Sequence, residues 1–131
     1  MKTNFNELAK EVFKRNCDKG FWDEGVENKN IGECLMLITS ELSEALEADR
    51  ENHHTIVNML KSIRNLDSEI DREYFKKEFE RTVKNSFEDE LADVIIRVMD
   101  LCGAKNIDID WHIEQKMNYN ALRPHKHGKK Y

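Results

Sequence analysis

The sequence predicts an all-α protein, a four-helix-type bundle with a helical insertion in its middle. Three observations predict it. One Pro and five Gly in 131 residues are too few for a turn-rich β protein. Leu, Glu, Lys, Ala and Met, all good helix formers, are frequent. Apolar residues recur at helical intervals in four long segments, and no segment alternates as a strand does.

The first helix is expected from about Asn4 to Cys17, with Asn4 and Glu7 at capping-box spacing and Phe5, Leu8, Val12 and Phe13 on one face. Gly20 breaks the chain, and Phe21, Trp22 and Asp23 follow in a loop. The second helix spans about Ile31 to Asp49, with Asn30 and Glu33 again at capping-box spacing. Its apolar residues Ile31, Cys34, Leu35, Ile38, Leu42, Ala45 and Leu46 give the clearest periodicity in the chain. Residues 50–85 read as an insertion. Ile56, Leu60 and Ile63 predict a short helix, Arg64 to Asp71 a polar loop, and Tyr74, Phe75, Phe79 and Val83 another helix. The next helix starts near Phe87, with Ser86 as N-cap, and stops at Gly103. The last spans Asp110, as cap, to Leu122, and Pro124 ends it. Residues 124–131 form a basic tail, and the whole chain is expected to be one domain.

The formal net charge of -5 argues against a nucleic-acid coat or a membrane-surface protein. Cys17, Cys34 and Cys102 are odd in number and far apart, so neither a disulfide framework nor paired zinc ligands are expected. The first residues lack the apolar core of a signal peptide, and no run is long enough to span a membrane, which makes a cytosolic location the expectation. So short a chain buries a limited core, and self-association, as a homodimer or homotetramer, would supply further stability.

Two runs carry the chemistry: Glu41-Leu42-Ser43-Glu44 and Glu90-Leu91-Ala92-Asp93. Each places two carboxylates three positions apart, on one side of a helix. At about 100° per residue, Glu41 falls inside the apolar arc of its helix and Glu44 just beyond it, while Glu90 lies close to Val94 and Leu101 with Asp93 further out. Both pairs flank a core stripe on the same rotational side, so antiparallel packing of the two helices would converge all four. Two like charges about 4 Å apart repel by roughly 4 kcal/mol at an effective dielectric near 20. Convergence therefore requires protonation or a cation. Oxygen ligands without His or Cys favour Mg²⁺, or Mn²⁺. The opposing reading is that these are solvated acids of amphipathic helices, where such spacing is common. A di-iron bundle needs Glu-x-x-His on two helices, and only Glu51 and His54 have that spacing.

The runs Ser40-Glu41-Leu42-Ser43-Glu44-Ala45, Glu90-Leu91-Ala92-Asp93-Val94-Ile95 and Lys116-Met117-Asn118-Tyr119-Asn120-Ala121-Leu122-Arg123-Pro124, taken in order, resemble the MazG-like branch of the all-α nucleoside-triphosphate pyrophosphatases. The likeness extends from Gly20-Phe21-Trp22-Asp23 to His127-Gly128-Lys129. It implies a helical bundle that binds Mg²⁺ through Glu41, Glu44, Glu90 and Asp93 and hydrolyses a nucleoside triphosphate to the monophosphate and pyrophosphate. Lys116, Asn120 and Arg123 match positions that contact phosphate and sugar. The sequence departs from the family where a further acid often precedes the first pair, since Ser40 stands there, and in the longer stretch between the pairs.

Within this reading Glu44 is the carboxylate expected to orient or deprotonate the attacking water. Lys116, Asn120 and Arg123 share a helix face suited to a polyphosphate, although the macrodipole favours bases at a helix C-terminus in any case. Lys126, His127 and Lys129 would fold over the phosphates or belong to a disordered tail. Trp22 would stack on a nucleobase or plug the end of the bundle. Competing classes are a non-catalytic helical interaction module and a narrow-specificity dUTPase- or dCTPase-type enzyme.

Overall fold

In the computed structural model, residues 4–56 and 66–131 are described. Every regular element among them is helical: α1 (Phe5–Asp18), α2 (Ile31–Arg50), α3 (Glu69–Thr82), α4 (Phe87–Ala104) and α5 (Ile109–Ala121), with 3₁₀ turns at Val26–Asn28 and His125–Gly128. No described helix is long and apolar enough to cross a membrane. Leu60 and Ile63 of the first expected insertion helix lie outside the described residues. The chain groups into two compact units, Met1–Asn30 with Val98–Tyr131, and Ile31–Arg97, the division falling within α4.

Unit 1 has a conventional apolar core. Ala9 and Val12 of α1 pack with Met99 and Cys102 of α4, and Phe5, Val98 and Ile109 lie against them. Gly103, expected as a helix stop, is instead helical. A Cβ there would collide with the Ala9 carbonyl oxygen and come within 2.7 Å of Phe13 Cβ, so its lack of a side chain lets α1 and α4 approach closely. The stop itself is made by Asn106, at φ 51°. The Ile107 N–H donates to the Cys102 carbonyl at 3.0 Å and the Asn106 N–H to that of Gly103 at 3.2 Å, a Schellman arrangement with Asn in the left-handed position.

The helix starts of unit 1 also differ from expectation. The Asn4 side chain makes no cap bond. Asp110, expected to cap α5, caps α1, accepting from the Phe5 N–H at 3.0 Å and the Asn6 N–H at 3.1 Å. Asp108 caps α5 through the Trp111 N–H at 3.2 Å and also accepts from Asn6 Nδ2 at 2.8 Å. Asn6 Oδ1 in turn accepts from the Asp110 N–H at 3.2 Å. Two positive helix ends thus share two acids, a reciprocal cap that ties α1 to α5.

In unit 2, α2 is terminated by Asn52, at φ 53°, two residues past its end at Arg50, with the His53 N–H bonded to the Ala48 carbonyl at 2.8 Å. Helix α3 begins earlier than expected, because Ser68 Oγ accepts from the Asp71 N–H at 3.0 Å and caps a turn that reads as polar loop. Residues 53–56 form a strap across the α3–α4 junction. The Ile56 N–H donates to the Thr82 carbonyl at 3.0 Å, the Phe87 N–H to that of His53 at 2.9 Å, and the Thr55 N–H to Glu88 Oε2 at 2.9 Å. Ser86, fully buried, caps α4 as expected through the Asp89 N–H at 3.2 Å and shares a 2.7 Å hydroxyl bond with Thr55. The strap fixes the end of α2 beside the start of α4, the two segments that carry the acidic pairs.

Candidate metal centre

Helix α2 turns Glu41, Ala45 and Ala48 inward, and these are its buried residues. Glu41 sits in the same buried row as the two alanines, 7% exposed. On α4, Glu90 is 5% exposed and Asp93 half-buried. Carboxylate oxygens of Glu41, Glu90 and Asp93 lie within 4.8 Å of one another. Glu44, one turn on from Glu41 and exposed at the rim, is coupled electrostatically to Glu41 and Glu90. Thus three of the four acids singled out in the sequence meet in unit 2, and Glu44 is electrostatically coupled to them from the rim.

Their ionisation reflects the crowding. Burial raises the Glu90 carboxyl to about 7, helped by the negative charge of Glu44 and by Glu41. Asp93 is raised by burial and by the charge of Asp89. Glu44 is raised by its hydrogen bond to Glu41 and by that residue's charge. Glu41 moves the other way: burial opposes its charge, but the bond from Arg97, with help from Glu44, outweighs it. Arg97 Nε donates to Glu41 Oε1 at 2.7 Å. Arg97 was not among the expected site residues, yet the sequence held a signal for it, since it follows Asp93 by four positions on the same helix face.

Among the described residues, one guanidinium, that of Arg97, faces these acids, which leaves the cluster short of positive charge. Hard cations sit about 2.0–2.6 Å from their oxygens, which puts opposite ligands of one ion about 4–5 Å apart. The observed spread of the three buried acids fits that span, and an oxygen-only donor set suits a hard divalent ion.

The other expected site residues belong to unit 1. Lys116 Nζ lies 5.2 Å from the Tyr119 ring centroid and Arg123 Cζ lies 5.9 Å from it. Asn120, one turn after Lys116, has its Oδ1 buried without a hydrogen-bond partner. Lys126, His127 and Lys129 are exposed on and after the last 3₁₀ turn, where Lys126 and His127 adopt left-handed backbone at φ 51° and 52°. Trp22 is 7% exposed. Its ring packs edge-on to Phe13 at 5.4 Å, its Nε1 donates to Asp100 at 3.0 Å, and Lys29 Nζ lies 4.9 Å from its centroid. Of the two uses expected for this aromatic, packing is the one it makes here, and a base could stack on it only by displacing those neighbours. Comparison with family models, curated proteins and solved structures finds no match for this chain.

Proposed function

We propose that this protein is a Mg²⁺-dependent nucleoside-triphosphate pyrophosphohydrolase of the all-α kind, cleaving a nucleoside triphosphate to the monophosphate and pyrophosphate. The carrying observation is the buried meeting of Glu41, Glu90 and Asp93, with Glu44 at its rim. The resemblance of the acidic runs to MazG-like enzymes supports the same reading.

Glu41, Glu90, Asp93 and Glu44 would hold the cation, which when bound would neutralise polyphosphate charge and acidify a coordinated water. Glu44 has the exposure and the raised proton affinity of a group that takes a proton from the attacking water. Arg97 fixes the Glu41 carboxylate and so its orientation in the cluster. The resemblance alone would give Lys116 and Arg123 a phosphate-contacting role. The test is a panel of ribo- and deoxyribonucleoside triphosphates, with and without Mg²⁺, read by pyrophosphate release. Release that depends on Mg²⁺ supports the enzyme. A rise in melting temperature with Mg²⁺ but no release from any nucleotide would point to a non-catalytic module.

A second copy of the chain is the proposed partner, seated on α2. Leu35, Leu42 and Leu46 lie together on that helix and are each about half exposed, at 52%, 49% and 49%. No described Leu, Ile or Phe in the chain is buried. From Ile31 to Leu46 this face carries no charge, and it is self-complementary. A two-fold axis between Ile38 and Thr39 would pair Leu35 with the copy's Leu42 and Ile31 with its Leu46, each lying equally far from the centre on opposite sides. Light scattering should give a dimer or a dimer of dimers, and Leu42→Glu should give a monomer. A monomeric wild type at micromolar concentration removes this proposal.

A further inference from the structure

Unit 2 holds a groove of about 420 Å³ where α3 meets the start of α4, a size within the range of small-molecule sites. We propose that it receives the base and sugar of a nucleotide whose phosphates lie at the acidic cluster, an assignment that rests on the enzymatic reading above. Position is the first reason. Asp93 lines the groove and also belongs to the acidic cluster, so a molecule seated here abuts the proposed cation. The second reason is the wall. Phe75 and Phe79, one turn apart on α3, are half-buried with ring centroids 5.7 Å apart, and phenyl faces accept a base of any sequence by stacking. The third reason is charge. Lys76 and Lys84 in the lining are balanced by Glu80 and Asp89. Asp89 is engaged locally, accepting from the Asn85 N–H at 2.9 Å. A wall that is aromatic and near neutral away from Asp93 suits an uncharged base and sugar better than a bare polyphosphate. The stretch between the acidic pairs thereby gains a role in substrate selection.

The test compares a nucleoside triphosphate with inorganic tripolyphosphate, which shares the phosphates and lacks the nucleoside. Phe79→Ala should raise KM for the nucleotide about tenfold or more, the usual scale for a lost stacking partner, while the inhibition constant of Mg-tripolyphosphate stays within about twofold. Phe79→Leu keeps apolar bulk on α3 and should show the same split, which separates stacking from a general loss of packing. Equal weakening of nucleotide and tripolyphosphate in both variants would mean a distorted site and would overturn the groove assignment. Unchanged KM in both, with an active wild type, would overturn it while leaving the enzymatic reading intact. A wild type that hydrolyses no nucleotide would remove that reading and the groove assignment together.

Discussion

The two units of this chain bury opposite kinds of side chain. Unit 1 closes over Ala9, Val12, Trp22, Met99 and Cys102. Among the described residues, unit 2 closes over Glu41, Glu90, Thr82 and Ser86, its buried apolar residues are the small Ala45 and Ala48, and its leucines are substantially exposed. Apolar burial is favourable for each residue, whereas burying a carboxylate is unfavourable until something charged or hydrogen-bonded compensates it. Unit 1 is therefore held by ordinary apolar packing. Unit 2 retains a destabilising cluster at its centre, and such a cluster makes physical sense where a ligand supplies the missing charge.

The contrast breaks most sharply at Glu90. Glu90→Gln keeps size and removes a buried, strongly perturbed carboxyl. Mg-dependent turnover should fall about 10²-fold or more, while the metal-free protein should melt no lower than the wild type. Parallel kinetics and thermal melts in EDTA check both halves. A Glu90→Gln protein with wild-type turnover would contradict the metal assignment.

Acidity gives the next effect. The Glu90 carboxyl sits at about 7 in the folded, metal-free chain against an ordinary value of 4.5. Between those values the folded state holds a proton that the unfolded state releases, so stability grows as pH falls from above 7 toward 4.5 and is lost as pH rises through about 7. In EDTA, denaturant midpoints should therefore be higher at pH 5.5 than at pH 8. Added Mg²⁺ should stabilise more at pH 8, where it has no proton to displace. Glu90→Gln should flatten the first dependence. A wild-type midpoint independent of pH across this window would show that the cluster carries no such cost.

Unit 1 should answer to packing instead. Gly103→Ala forces a methyl into the Ala9 carbonyl and Phe13, and overpacking of this kind costs about 1–3 kcal/mol. Urea denaturation should show the loss at every pH and with or without Mg²⁺. A neutral Gly103→Ala would mean that α1 and α4 separate without cost.

How much of this was legible in the sequence follows the range of the forces involved. The positions of α2 and α4 came from periodicity, which is local, but the row of α2 that the structure buries is Glu41, Ala45 and Ala48, to one side of the apolar arc, whose Leu35, Leu42 and Leu46 stay about half exposed instead of forming the expected core stripe. The start of α3 was also written locally, in Ser68 and Asp71, but the apolar pattern nearby was too weak to draw attention to it. Gly103 was misread because a glycine near a helix end resembles a stop, whereas its cause is a neighbouring helix far away in sequence. The caps at Asp108 and Asp110 exchange roles for the same reason: spacing locates an acid near a helix start and does not say which helix it caps. Trp22 reads from sequence as a pocket wall or as a plug of the bundle end, and its packing against Phe13 and Asp100 comes from partners that local sequence does not name.

The smallest effect tests that exchange of caps. Asp110→Ala removes the acceptor of the Phe5 and Asn6 N–H groups at the start of α1. Loss of an N-cap costs about 0.5–2 kcal/mol. Asp108→Ala should cost a comparable amount by uncapping α5, and the double variant should cost less than the sum, because Asn6 bonds to both residues and joins the two caps into one network. Neither change should alter the Mg²⁺-induced rise in melting temperature, since both lie in unit 1 and the acidic cluster lies wholly in unit 2. Strict additivity in the cycle would show two independent caps, and a lost Mg²⁺ response in either single variant would show that the division of labour between the units is wrong.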